Sequence, residues 1–261
     1  MASSLGCGSL FGIGDLPGLV SRPDGGDAGT PQADAGTWCE TKNQRPSWFC
    51  DDFDAVESAG EGWDGPSKSF RDTAGGGTVA FDEERFTSGP RALRLTAPVL
   101  LSGKQALAHL QKTLPDDARI IRFEADARIE TEGFPDDVGV YTMIQLAFAP
   151  SGGITISRGE KGTYLDVMDL NVANGQTSKL STQSVRVGKW VELTLYVTLP
   201  TSASEEGYAE LLVDGISGAR LPITFAATKG RPIALGLGMV AQGPTNDVEL
   251  AFDNVRIEIQ K

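Results

Sequence analysis

Apolar and polar residues alternate with a period of two along most of the chain. The clearest stretch is 119–130, where Ile121, Phe123, Ala125, Ala127 and Ile129 share one face while Arg122, Glu124, Asp126, Arg128 and Glu130 share the other. Such a period puts successive side chains on opposite sides of an extended backbone and predicts a strand with one packed side. Residues 91–97, 189–199 and 248–259 repeat the pattern. Turn-forming clusters punctuate these runs: Ser88-Gly89-Pro90, Ser151-Gly152-Gly153, Asn174-Gly175, Asp214-Gly215 and Gly243-Pro244. Asp214-Gly215, after Leu211, Leu212 and Val213, predicts a hairpin, because both residues tolerate the positive φ of a tight turn.

Two stretches are ambiguous. In 104–114, Leu107, Leu110 and Leu114 sit at helical spacing, while Leu107, His109 and Gln111 alternate as in a strand. Residues 138–157 carry no charge, but Pro150-Ser151-Gly152-Gly153 breaks them into β-branched or aromatic halves too short to cross a membrane as helices. Ten or more short strands with no βα rhythm predict an all-β chain, a two-sheet antiparallel β-sandwich or jelly roll.

The chain has 261 residues, enough for one large all-β domain, and 32 glycines fit a turn-rich fold. Lys and Arg total 23 against 35 Asp and Glu, a formal net charge of -12. That field repels phosphate backbones, so nucleic acid and anionic membrane surfaces are poor partners and no nucleic acid is expected.

Three cysteines occur. Ser4-Leu5-Gly6-Cys7-Gly8 resembles the end of a bacterial lipoprotein signal, which makes residues 1–7 a signal remnant, Cys7 a lipid attachment point and the membrane a partner through that anchor. The hydrophobic stretch of such signals is missing, and Ser4 stands where Leu is usual. Residues 8–37, rich in Gly, Pro, Asp and Ala, are expected to form a flexible linker of roughly 30 Å reach. Cys39 and Cys50 open the folded domain, 38–261, and an oxidising compartment would let them pair. The expected location is therefore outside the cytoplasm: an outer-membrane or surface lipoprotein, otherwise periplasmic or secreted.

Phe49-Cys50-Asp51-Asp52-Phe53-Asp54, residues 88–95 (SGPRALRL), Gly188-Lys189-Trp190-Val191, Leu212-Val213-Asp214-Gly215 and Phe252-Asp253-Asn254-Val255-Arg256-Ile257 occur in that order. Together they resemble the concanavalin A-like lectin and glucanase superfamily, LamG-like jelly rolls included. The resemblance implies two curved sheets, one often forming a sugar-binding groove. Glucanases of that superfamily place acids as Glu-x-Asp-x-Glu; here Glu124 and Asp126 begin the pattern, but Glu130 follows six residues after Glu124, about 20 Å along a strand, too far for a retaining carboxylate pair. Alginate lyases of the fold carry Arg-x-Glu and Gln-x-His strands. Arg122-Phe123-Glu124 and Gln145-Leu146-Ala147 match in order, with Ala147 in place of the histidine and no counterpart of the lyases' C-terminal tyrosine motif in 232–242. His109 could stand in as base, although a lone histidine between Ala108 and Leu110 reads first as a structural sheet residue.

If Ile144, Leu146 and Phe148 face the core, Tyr141, Met143 and Gln145 face out, as Tyr164 and Asp166 oppose Leu165 and Val167. Arg122, Glu124, Asp126, Tyr141, Gln145 and Tyr164 are thus the expected carbohydrate-binding set, with a glycan or polysaccharide as partner. Asp52, Asp54, Asp253 and Asn254 are the positions for a structural Ca2+, whose ligands are hard oxygens. These readings favour a non-catalytic carbohydrate-binding or adhesive domain. A polysaccharide-active enzyme, lyase or glycoside hydrolase, is the first alternative and a structural envelope protein the second.

Overall fold

The computed structural model describes residues 38–41, 48–64, 72–134, 139–173, 175–200, 202, 205–225, 231, 233–243 and 245–261. The lipobox-like Cys7 and the 8–37 linker lie outside the described residues. One short helix, α1 (Trp38–Thr41), precedes fifteen strands: β1 (Phe49–Asp51), β2 (Asp72–Ala74), β3 (Thr78–Asp82), β4 (Ala92–Ala97), β5 (Gln105–Leu114), β6 (Ile120–Thr131), β7 (Val140–Phe148), β8 (Gly152–Gly159), β9 (Gly162–Asp169), β10 (Gln176–Leu180), β11 (Val191–Thr198), β12 (Gly207–Val213), β13 (Ile216–Ile223), β14 (Ile233–Gln242) and β15 (Val248–Gln260). The ambiguous stretch 104–114 is a strand, and the uncharged stretch 138–157 is the β7–β8 hairpin.

The strands form two antiparallel sheets. One is eight-stranded, ordered β13-β12-β11-β6-β15-β4-β3, with β1 also pairing β15; the other is seven-stranded, ordered β10-β9-β8-β7-β14-β5-β2. Ile121, Phe123 and Ile129 of β6 and Phe252 and Ile257 of β15 pack inward from the first sheet. Leu110 and Leu114 of β5, Ile144 and Leu146 of β7, Ile154 and Ile156 of β8 and Leu235 and Leu237 of β14 meet them from the second. Each such side chain contributes ~1.5–3 kcal/mol when fully buried. Alternation therefore fixes which residues are left for the two outer faces. Asp214 and Gly215 adopt positive φ in the β12–β13 turn, as their sequence predicts.

Cys39 of α1 is disulfide-bonded to Cys50 of β1, with Cα atoms 5.8 Å apart. The Cys39 N–H donates to Asp52 Oδ2 at 2.9 Å, so crosslink and hydrogen bond together tie α1 to the first strand.

A buried polar knot joins β6, β15 and the loop before β4. Asp253 is fully buried and Asp126 and Asn254 nearly so. Thr87 and Ser88 donate their N–H groups to Asp253 Oδ2 at 2.8 and 2.9 Å, and the Thr87 hydroxyl donates to Asp126 Oδ2 at 2.6 Å. Asn254, at φ 53 beside a break in the β15–β6 register, donates its amide to Asp126 Oδ2 at 2.7 Å. Burial pushes the Asp253 carboxyl up to about 7, against the pull of the Ser88 and Thr87 donors and with help from the neighbouring Asp126 charge.

The folded chain thus keeps the Asp253 proton to about pH 7, whereas an unfolded chain releases it near 3.8. Between those values the native state binds more protons, so this group's contribution to stability falls as pH rises through the window. Thermal melts of wild type and Asp253→Asn across it should show a flatter pH dependence for the variant; equal slopes would contradict the assignment. Separately, Cys39→Ser/Cys50→Ser should lose about 3 kcal/mol in denaturant unfolding, the chain-entropy value for so short a loop.

Candidate functional site

The outer faces of the two sheets differ in character. On the eight-stranded sheet the exposed side of β6 and its neighbours is laced with ion pairs. Arg85 bridges Asp82, Glu130 and Glu249 at 2.9, 3.1 and 2.9 Å, Arg94 reaches Glu249 at 2.9 Å, Arg122 pairs with Glu124, and Arg256 with Glu258. These opposed charges form a partly buried ion-pair lattice over this face.

Both clefts found among the described residues open instead on the outer face of the seven-stranded sheet. The smaller, about 30 Å³, is centred on β14 and flanked by β5 and β7; His109, Thr142, Gln145, Gly236 and Gly238 line it. Gly238 pairs with His109 and Gly236 with Gln145, so the two functional side chains stand on either side of a glycine floor. An added Cβ at Gly236 would lie 3.8 Å from Gln145 Cβ and 4.0 Å from His109 Cδ2, which puts those two atoms no more than 7.8 Å apart. At Gly238, φ is 140° and a Cβ would fall 2.4 Å from the Ala108 carbonyl oxygen, so only glycine fits.

The larger cleft, about 290 Å³, lies further along the same face over β8, β9 and β10. Tyr164, Asp166, Ser157, Gln176 and Ser178 line it together with Glu160 and Lys161 of the β8–β9 turn. Ser157 and Thr155 both donate hydroxyls to Asp166 Oδ2, the latter at 3.2 Å. Registers Gln145↔Thr155, Thr155↔Asp166 and Asp166↔Ser178 make one polar row from the first cleft to the second.

The expected binding set is split by this geometry. Gln145 and Tyr164 face the cleft-bearing side. Arg122 and Glu124 belong to the ion-pair lattice of the other sheet, and Asp126 is buried in the polar knot. The Arg-x-Glu and Gln-x-Ala strands therefore lie on different sheets and share no groove. Tyr141 and Met143 are also corrected: both are fully buried. The β7–β8 register shifts between Thr142 and Ile144, and this irregularity turns Tyr141 inward while leaving Gln145 outward. The Tyr141 hydroxyl donates to Glu132 at 2.9 Å, Arg158 clamps the same carboxylate at 2.8 and 2.6 Å, and burial raises the Tyr141 phenol well above its ordinary value.

Asp52, Asp54, Asp253 and Asn254 are not gathered into one ligand set. Asp52 Oδ2 accepts the Cys39 N–H, Asp54 Oδ1 accepts the Arg91 N–H at 3.2 Å, and Asp253 accepts backbone donors of the 87–88 loop. N–H groups aimed at these oxygens hold the positions a cation would need, and no group of three or more His, Cys, Asp or Glu among the described residues is arranged to hold a metal. Burial raises the Asp54 carboxyl to about 7 and that of Asp51, which accepts the Trp63 indole N–H at 2.7 Å, to about 6.

Sheet order, antiparallel pairing and a cleft on one outer face define a concanavalin A-like jelly roll. The fold is similar to that of the endo-β-1,4-glucuronan lyase of the fungus Trichoderma reesei, at TM-score 0.59 and 16 % identity over 82 % of this chain and 96 % of that one. It is also similar to the marine alginate lyase of Aplysia kurodai, at TM-score 0.53 and 14 % identity over 70 % and 87 %, and to the cellulose-induced protein Cip1, at 0.53 and 14 % over 80 % and 96 %. No protein-family model matches the sequence, and no curated protein matches it. Polysaccharide lyases among these neighbours overturn the expectation of a non-catalytic binding or adhesive domain and favour its enzyme alternative.

The Gly236–Gly238 floor was missed by sequence reasoning, which weighed His109 as a base but read it first as a structural sheet residue, and which placed Asp166 on the outer face without including it in the binding set. A glycine pair inside an otherwise regular strand was the available signal, since it marks close approach of another backbone or a ligand. The two glycines should separate experimentally. Gly236→Ala, with room for its methyl, should unfold within ~0.5 kcal/mol of wild type. Gly238→Ala should lose more than ~1 kcal/mol in denaturant titrations, because alanine cannot hold that φ.

Proposed function

We propose that the chain is a polysaccharide lyase that cleaves uronate-containing glycans by β-elimination at the β5–β14–β7 cleft. Elimination needs a group that neutralises the uronate carboxyl, a base for the proton on the adjacent ring carbon, and an acid for the departing glycosidic oxygen. Gln145, exposed beside the glycine floor, offers amide donors to the carboxyl. His109, across the floor, supplies an imidazole, a side chain that commonly serves as a general base. Tyr164 stands four strands from His109, about 19 Å at ordinary strand spacing, too far to be the acid. The imidazolium formed in the first step then returns its proton to the leaving oxygen, which requires proton and leaving group on the same ring face.

The observation that carries this reading is the juxtaposition of His109 and Gln145 over a floor without side chains, on a fold shared with named lyases. Hydrolysis finds less support. The cleft-lining carboxylates, Asp166 on β9 and Glu160 in the β8–β9 turn, lie in the larger cleft, away from the His109–Gln145 floor. Export is part of the proposal, supported by the Cys39–Cys50 bond, since such crosslinks persist in oxidising compartments.

Incubation with uronate polymers while following the absorbance of the unsaturated product tests the reading. His109→Ala should lower kcat by roughly 10²–10⁴-fold with an unchanged melting profile. Gln145→Ala should reduce kcat/KM as well. New reducing ends without unsaturation would identify hydrolysis instead.

A further inference from the structure

The cleft over β8–β10 lies on the same polar row as the proposed elimination centre, yet its chemistry differs. Asp166 is held by Ser157 and Thr155 through Oδ2 only, and among the described residues its Oδ1 accepts no hydrogen bond. Ser157, only 6 % exposed, fixes the carboxylate in place. Tyr164 lies beside it on β9, two residues away on the same face of the strand. Glu160 adds a second negative charge and Lys161 one positive charge, and Arg158 close by is committed to Glu132. The lining is therefore net acidic, on a chain of net charge -12.

We propose that this cleft is a subsite for an uncharged sugar unit, and that the substrate is a heteropolysaccharide in which uronate residues are separated by neutral ones. The inference rests on the lyase reading above. A carboxylate with a bare oxygen accepts sugar hydroxyls as charge-assisted bonds, an aromatic ring meets the C–H face of a pyranose, and both acids repel a uronate. From Gln145 on β7 to Asp166 on β9 is two strand spacings, about 10 Å, and His109 on β5 lies two spacings further from Asp166. A pyranose unit is close to one spacing long, so the subsite holds a sugar on the order of two to four units from the bond that breaks. A run of uronates, or a uronate at every second unit, would place a carboxylate against Asp166 when another sits at Gln145, whereas a repeat with one uronate in four sugars places one at Gln145 and a neutral sugar two units away at the distal cleft.

The test compares polyglucuronate with deacylated gellan, in which each glucuronate is followed by three uncharged sugars, using wild type and Asp166→Asn. The expected result is a KM for gellan at least about tenfold below that for polyglucuronate. Asp166→Asn should raise the first and lower the second while kcat stays within about twofold. Equal KM values for the two polymers, or an Asp166→Asn enzyme with unchanged preference, would overturn the subsite. If neither polymer yields unsaturated product, the elimination reading falls, and retardation in gels containing each polymer decides the subsite alone. Selective retardation by gellan that is lost in Asp166→Asn upholds it; equal retardation by both overturns it.

Discussion

Burial of alternate side chains between two sheets is the constraint from which the outer surface follows. Ile121, Phe123 and Ile129 on one sheet and Leu110, Ile144 and Leu235 on the other fix the phase of their strands, because a one-residue slip would exchange core and solvent faces. Phase can change only where the ladder is interrupted. The interruption at 142–144 in β7, matched by another at 237–240 in β14, decides which residues reach the cleft. The irregularities beside Tyr141 and Met143 leave Gln145 opposite Gly236, while the unbroken β14–β5 ladder sets Gly238 beside His109. The geometry of the site is thus a consequence of two local defects in an otherwise regular sheet, consistent with bulges serving to re-aim side chains next to active sites.

The two outer faces divide stability from recognition. Opposed charges on the eight-stranded sheet satisfy one another, and each exposed pair contributes little singly, so this lattice serves solubility and sheet register more than binding. The seven-stranded face carries few charges near β14 and exposes backbone through glycine. Under the lyase reading proposed above, the nearly side-chain-free strip between His109 and Gln145 is where a polymer would lie across the strands with its backbone close to the sheet.

The class of fold was legible because periodicity two reports burial directly: the alternating runs at 119–130, 189–199 and 248–259 became β6, β11 and β15. The disulfide was legible as two cysteines 11 residues apart at the start of the folded part. The site was legible only where alternation ran unbroken, as for Tyr164 and Asp166 on β9. Tyr141 was misplaced because a register shift has no composition of its own. Arg122 and Glu124 were misplaced for another reason: period two tells which side of a strand a residue occupies but not which sheet the strand joins. That β6 pairs with β15 and β11, rather than with β7, is a long-range choice made by the whole core.

The buried knot of Asp126, Asp253 and Asn254 shows the same limit from the opposite side. Asp126 belongs by alternation to the charged face, yet it is nearly fully buried, because the 87–88 loop folds over β6 and β15 and covers it. Two carboxylates so placed are expensive to desolvate, and each is made tolerable by hydroxyl, amide or backbone donors rather than by a cation. A network of this kind disfavours alternative registers of β15, since any slip would strand buried polar groups without partners. The sheet opposite the cleft is held in phase by that penalty. Through the shared core, it gives β14 a fixed backing against which the glycine floor, and with it the spacing of His109 and Gln145, is set.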